Sequence, residues 1–301
     1  MDPITHALTG AMLSYLPPKR QKTMMVLVSA SVLPDIDYIT RVFGADVFLR
    51  YHRGITHGIL AVIVVPLIIG LVCQKIFKRG FFYYTLLGFL GYSVHLLMDL
   101  TNQYPTRILS PLDWSNYSLN LSFIIDPYTI AAVLLGILWG IKKSPTGRRI
   151  IAAGMIVMIV FIMVLRYELK SRAEAFLRSQ VDEYQYILCP LPNDFLRWWF
   201  VTRSGVKYKT GFVDLFSKTV SVVNVIIYSE DEPEIKESKQ LRTVRNFLYF
   251  ATAAVPDIKR KNGRTFVYWK ELTYSYIPGN RFVATVEFDR SGRVVRQGFR
   301  F

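Results

Sequence analysis

Four apolar runs, Gly58–Cys73, Phe81–Met98, Ser122–Ile141 and Ile150–Leu165, constrain this chain more than anything else in it. Each is at or slightly below the roughly 20 residues that carry a helix across a bilayer core. No such run recurs after Arg166. The 301 residues are therefore expected to divide into a membrane-embedded domain over 1–165 and a soluble domain over 170–301. Two shorter runs, Pro3–Leu16 and Met24–Leu33, precede the four and either cross as a pair or dip in as a re-entrant pair. The first basic residue is Lys19, so the N-terminus lacks the basic region of a secretory signal and is expected to be retained.

A formal net charge of +15 would suggest nucleic acid in a soluble protein, but here the placement of the charge decides. Three basic clusters fall between the apolar runs: Lys19, Arg20 and Lys22; Lys75, Lys78 and Arg79; Lys142, Lys143, Arg148 and Arg149. None contains an acid, and by the positive-inside rule all three turns face the cytoplasm. The opposite ends carry every acidic residue before Arg166, namely Asp2, Asp35, Asp37, Asp46, Asp99, Asp113 and Asp126, and all four histidines. The chain thus reads as a multi-pass protein of the cytoplasmic membrane whose polar site and C-terminal domain lie on the extracytoplasmic side. Its expected partners are membrane lipids and an amphipathic or envelope substrate, with no nucleic acid. Beyond Arg166 the excess of base over acid fits a surface near anionic head groups. Cys73 and Cys189 imply neither a disulfide nor a cysteine-based zinc framework.

From about Lys170 the pattern changes to aromatic-rich alternation, as in Val220–Tyr228 and Phe282–Phe288, with turn signals at Ser204-Gly205 and Ser291-Gly292. Helical spacing of Leu241, Val244, Phe247, Leu248 and Ala251 predicts one helix over residues 234–254. The expected fold class is an all-α multi-pass membrane domain of about six helical segments followed by a smaller α+β extracytoplasmic domain.

The polar residues of the first domain come in short groups. His95 and Asp99 are four apart on a predicted helix, project from one face, and read either as two ligands of one metal or as an intrahelical hydrogen bond. Asp2 and His6 repeat the spacing, with Asp2 also suited to capping the first helix. Pro34-Asp35-Ile36-Asp37 offers paired carboxylates that can bridge metals or divide metal binding from general-base work. His52-Arg53-Gly54-Ile55-Thr56-His57 brings two imidazoles, common metal ligands, beside an arginine suited to a phosphate, a carboxylate or a lipid head group. Asp126 before Pro127 reads as a helix cap, a ligand, or a partner that orients a histidine.

Histidines with carboxylates and no clustered cysteines favour zinc, manganese or iron, and more than four candidate ligands suggest two ions. The chain has no H-E-x-x-H, no G-x-S-x-G and no P-loop, which counts against zincin, serine-hydrolase and nucleotide-driven classes. Met1-Asp2-Pro3-Ile4-Thr5-His6-Ala7, Leu33-Pro34-Asp35-Ile36-Asp37, His52 to His57, His95-x-x-x-Asp99 and Phe123-Ile124-Ile125-Asp126-Pro127 together resemble the YdjM-like family of membrane-bound metal-dependent hydrolases, over about residues 1–140. That family looks distantly similar to zinc-dependent phospholipase C. The resemblance implies that His6, Asp35, His57, His95 and Asp99 are metal ligands, with His52 a further candidate. The N-terminal tryptophan ligand of the soluble enzymes has no counterpart. The expectation is then a metal-dependent hydrolase of phosphoester or related ester bonds, with Asp37 as base or bridging ligand and Arg53 stabilising negative charge. The rival is a non-enzymatic membrane protein with a structural metal and an outer domain that binds envelope partners.

Overall fold

A computed structural model of the chain describes residues 1–18, 22–78, 80–183, 185–279 and 281–301. Lys19, Arg20 and Arg79 of the basic clusters lie outside the described residues. The chain forms two compact units: Met1–Asp37 with Arg53–Glu168 and Pro190–Asn193, and Tyr38–His52 with Leu169–Cys189 and Asp194–Phe301.

The first unit is helical. It comprises α1 (Pro3–Leu13), α2 (Thr23–Val32), α4 (Ile59–Phe77), α5 (Phe81–Thr101), α6 (Pro127–Gly140) and the start of α7 (Pro145–Arg178), while α3 (Ala45–Tyr51) belongs to the second unit. Among the described residues, Thr23–Phe43, Ile59–Phe77, Phe81–Thr101 and Pro145–Arg178 are long and apolar enough to cross a membrane, and Pro127–Gly140 is apolar but shorter. The start of α1 is set by Asp2, whose carboxylate accepts the backbone N–H groups of Ile4 and Thr5 at 3.1 and 3.0 Å, with Pro3 in the first turn. Asp126 does the same for α6, accepting Thr129 N–H at 2.8 Å. That helix begins at Pro127 and not at Ser122, because the cap and the proline define its first turn and Ser122 joins an extended bridge to Asn102.

Helix α2 lies between α1 and α5 at close range. A Cβ added to Gly10 of α1 would sit 2.8 Å from Leu27 O, and one added to Gly91 of α5 would sit 2.9 Å from the Ala30 Cβ. The missing side chains let the backbones meet, as in helix pairs built on small residues. Leu13, Val26, Leu27, Tyr84 and Leu87 form the buried packing beside this contact. After Val32 the chain tightens into a 3-10 run, Leu33–Phe43, where Pro34 has no N–H to continue the α-helical ladder.

The second unit holds two four-stranded sheets: β1 (Gln185–Pro190), β2 (Arg197–Ser204), β3 (Lys207–Asp214) and β4 (Thr219–Ile227) in one, β5 (Ala254–Lys261), β6 (Arg264–Glu271), β7 (Val283–Phe288) and β8 (Val294–Arg300) in the other, each in sequence order. Gly205 at φ 59° and Gly292 at φ 79° turn β2 into β3 and β7 into β8, where the sequence has its Ser-Gly signals. The single helix expected over 234–254 is two helices, α8 (Pro233–Gln240) and α9 (Arg242–Phe250), broken where Leu241 is extended at φ −75°, ψ 143°. The break lets Ile235 and Ser238 of α8 and Val244 and Phe247 of α9 all be buried, which one straight stripe would not do. Ser238 Oγ takes the Trp269 indole N–H at 3.0 Å, and Trp199 donates to Leu272 O at 2.9 Å. Helix α3 packs on α9, with Asn246 donating to Asp46 at 2.9 Å.

Glu271, at the end of β6, is fully buried, and its carboxylate accepts the backbone N–H groups of Thr252, Ala253 and Thr273 and the Thr273 hydroxyl. Burial raises its pKa above the ordinary 4.5 despite these bonds, which act the other way. The folded protein therefore keeps this proton to higher pH than the unfolded chain. Its contribution to stability is complete below the ordinary value and is lost as pH rises through the raised one. Thermal unfolding followed by tryptophan emission is expected to show wild type losing stability relative to Glu271→Gln as pH rises from 4 towards neutrality. A wild type that gains on the variant over that range would show that the hydrogen bonds outweigh burial.

Candidate metal centre

The site is built where α1, α5 and two 3-10 segments supply polar side chains to one point. His95 and Asp99 stand one turn apart on α5, with His95 Nε2 3.4 Å from Asp99 Oδ2. Asp35 comes from the 3-10 run after α2, and His57 from the short 3-10 turn Ile55–His57 before α4. His57 Nε2 lies 3.1 Å from His95 Nε2, 3.3 Å from Asp99 Oδ2 and 3.7 Å from Asp35 Oδ1, and His95 Nε2 is 3.9 Å from Asp35 Oδ1. All four residues are buried.

The hydrogen bonds on the far side of each ring decide what faces the cluster. His95 Nδ1 is 2.7 Å from the Ser31 carbonyl, which only accepts, so that nitrogen carries the proton and Nε2 presents its lone pair. Thr56 Oγ1 gives its proton to Asp37 Oδ2 at 2.8 Å and is left to accept from His57 Nδ1 at 3.0 Å. Asp37 Oδ2 is also 3.4 Å from that Nδ1. His57 therefore also turns an Nε2 lone pair inward. Two lone pairs 3.1 Å apart repel unless a cation lies between them. Asp35 Oδ2 and Asp99 Oδ2 are buried with no hydrogen-bond partner among the described residues, and such carboxylate oxygens are costly unless something positive meets them. Four ligand atoms at about 2.0–2.1 Å from a tetrahedral ion stand about 3.3–3.4 Å apart. The observed separations bracket that figure, so the donor set fits a divalent metal.

Arg53 governs the other oxygen of Asp99. Its guanidinium donates to Asp99 Oδ1 at 2.7 Å, Asn102 Oδ1 at 3.0 Å and Tyr104 O at 2.8 Å, and it lies over the Tyr104 ring. Its backbone has φ 57°, a left-handed conformation unusual for a side-chain-bearing residue, and its N–H donates to Asp37 Oδ2 at 2.9 Å. His6 Nε2 is 3.2 Å from Asp99 Oδ1, its ring stacks on His95 at 3.6 Å between centroids, and the Met1 amino group also bonds Asp99 Oδ1.

The structure thus brings Asp35, His57, His95 and Asp99 to one point, with His6 and Arg53 on the far oxygen of Asp99 and Asp37 behind His57. Asp2 is engaged as the α1 cap, and its carboxylate also takes the Thr5 hydroxyl. Asp126 caps α6 and pairs with Arg166, which also donates to Leu121 O at 3.2 Å. His52 belongs to the second unit, where its ring stacks on Phe48 at 4.5 Å and meets the edge of Tyr38 at 4.8 Å. Met1, Ser31, Thr56 and Asn102 were not singled out from the sequence. Asn102 carried a signal, three residues beyond Asp99 on the same helical spacing, and Thr56 adjoins His57. Ser31 contributes only its carbonyl, which no side-chain pattern records.

The YdjM inner membrane protein family matches residues 1–171, and a YfhP C-terminal alpha/beta plait domain matches residues 233–300. A Bacillus subtilis (strain 168) protein described as uncharacterized protein YfhP is 25% identical over 211 residues, which cover 66% of this chain and 64% of that relative. The chain therefore spans less than two thirds of that relative's length. No solved structure matches.

His95→Ala and Asp99→Ala are each expected to remove bound metal from the purified protein. Thr56→Val, which loosens His57 without deleting a ligand, should weaken affinity about 10–100-fold. Elemental analysis after dialysis against a weak chelator reads all three. Wild-type metal content in both alanine variants would show that the cluster does not hold the ion.

Proposed function

The chain belongs to the YdjM inner membrane protein family, and from that premise we propose that it is a membrane-bound, metal-dependent hydrolase of phosphoester or related ester bonds in an amphipathic substrate. The convergence of two imidazole lone pairs and two carboxylates on one buried point carries this reading. Asp35, His57, His95 and Asp99 would hold the ion, with zinc the best match to nitrogen and oxygen donors at tetrahedral spacing and manganese or iron the alternatives. His6 meets the far oxygen of Asp99, which Arg53 and the Met1 amino group already hold, so this reading assigns the cluster one ion. A bound zinc supplies Lewis acidity that brings the pKa of water near neutrality.

The chain's own residues hold this arrangement in place. Asp37 and Thr56 fix the ring of His57, as the Ser31 carbonyl fixes that of His95. Arg53 holds Asp99 in the orientation that turns Oδ2 inward, so its first role is positioning. Its charge offsets part of that of Asp35, Asp37 and Asp99, and an anionic substrate would meet a positive field only with the ion bound. Full burial of His6, His57, His95 and Asp99 supports a second reading, a structural clamp with coordination closed by protein alone.

Arg53→Ala is expected to lower both metal affinity and turnover of bis-p-nitrophenyl phosphate, and Arg53→Lys to restore part of each. Metal-replete wild type that cleaves no phosphodiester, yet melts at lower temperature after chelation, would leave the clamp as the function.

The basic residues Lys22, Lys75, Lys78, Lys142, Lys143, Arg148 and Arg149 further support a topology with the metal centre and the C-terminal domain outside the cytoplasm. An alkaline phosphatase fused after Lys170 should be active. Activity of a reporter that works only in the cytoplasm, fused at the same point, would reverse the orientation.

A further inference from the structure

Beside the metal centre, the first unit has a lateral groove of about 530 Å³, within the range of small-molecule sites. Met12 and Leu13 of α1 are among its buried lining residues, and α5 and α7 contribute two stretches, Leu90 to Thr101 and Ile156 to Tyr167. The lining is almost wholly apolar. Thr9 and Thr101 turn their hydroxyl protons onto carbonyls of their own helices, at 2.8 and 2.7 Å.

The groove's depth is informative. Each of the two lining stretches spans about 16 Å at 1.5 Å per residue, roughly half of a ~30 Å hydrocarbon core. It is therefore about one leaflet deep. One end adjoins the candidate metal centre, because Met1 lines the groove while its amino group bonds Asp99. At that end Thr129 also lines it, and its buried Oγ1 has no hydrogen-bond partner among the described residues.

We infer that this groove holds one hydrocarbon chain of a membrane lipid whose phosphoester head group lies at the metal centre, which makes the substrate class a lipid phosphoester presented from the bilayer. This rests on the hydrolase reading above and on the helices lying in a membrane. A groove with these walls does not favour water, and hydrocarbon is what the bilayer offers at that depth. One chain enters and the other, where the lipid has two, stays in the leaflet. The head group would reach the cluster past Met1, whose amino group bonds Asp99 Oδ1.

The test uses the full chain in phosphatidylglycerol vesicles doped with a phosphatidylglycerol that carries a diazirine on one acyl chain. Photolabelling is expected to concentrate on Leu90–Thr101 and Ile156–Tyr167 over the exposed face of Ile59–Phe77. Ile159→Trp and Met163→Trp, which fill the groove, should each cut labelling of those peptides severalfold while metal content and labelling of Ile59–Phe77 stay as in wild type. Groove labelling no greater than that of Ile59–Phe77, or unchanged in filled variants that retain their metal, would mean ordinary bilayer contact and overturn the inference. Asp99→Ala separates the two claims: groove labelling that survives loss of metal and hydrolysis supports the groove on its own. Phosphodiester turnover in a protein with an unlabelled groove sinks only the groove.

Discussion

A carboxylate with no exposed surface is the constraint around which the first unit is arranged. Asp99 sits one turn from His95 on the mainly apolar α5, and an isolated ionised carboxylate in such surroundings is untenable without compensation. Its two oxygens are treated differently. Oδ1 is met by the Arg53 guanidinium, His6 and the Met1 amino group, while Oδ2 turns towards two imidazole nitrogens that bring lone pairs and no protons. One oxygen is thus held by the protein and the other is left to a cation. That asymmetry is what a metal site would show and a buried ion pair, where both oxygens find donors, would not.

The same constraint explains the backbone around it. The lone pair of His95 points inward only because Ser31 O lies within 2.7 Å of its other nitrogen. Ser31 comes that close because Gly10 and Gly91 let α2 lie against α1 and α5 without intervening side chains. Arg53 reaches Asp99 from a left-handed backbone position, an unfavourable conformation stabilised by its N–H bond to Asp37 and by three acceptors around the guanidinium. Helix packing, ring tautomer and carboxylate orientation are therefore one problem solved together. A side chain added at Gly10 or Gly91 would press on Ser31 and so on the ring of His95.

What was legible in the sequence followed from local rules. The i, i+4 spacing of His95 and Asp99, the capping potential of Asp2 and Asp126, and the Ser-Gly turns all depend on residues within one helical turn or hairpin of each other, and the structure shows each as expected. The division of labour within His52–His57 was not legible. His57 contributes to the group with Asp35, His95 and Asp99, while the ring of His52 packs on Phe48 and Tyr38, surroundings that the shared motif does not reveal. The break at Leu241 was equally silent: the apolar spacing begins there, and the buried positions on its two sides, Ile235 and Ser238 before it and Val244 and Phe247 after it, do not share one straight stripe. Arg53 looked like a group for substrate, since charge alone does not reveal that Asn102, Tyr104 and Asp99 already surround it.

Burial of the centre and the apolar groove beside it bear on each other. If substrate arrived from water, a site whose histidines and Asp99 expose no surface would need a large opening motion. A substrate held along the proposed groove would need Met1 alone to give way, because Met1 lines the groove and its amino group bonds Asp99. Burial then serves the chemistry, since dipoles and charges act more strongly where water is excluded. On the proposed reading it also limits the head group, which would have to be small enough to pass Met1. Closed burial and hydrolysis are therefore compatible in one structure when the bilayer, and not the aqueous phase, delivers the substrate.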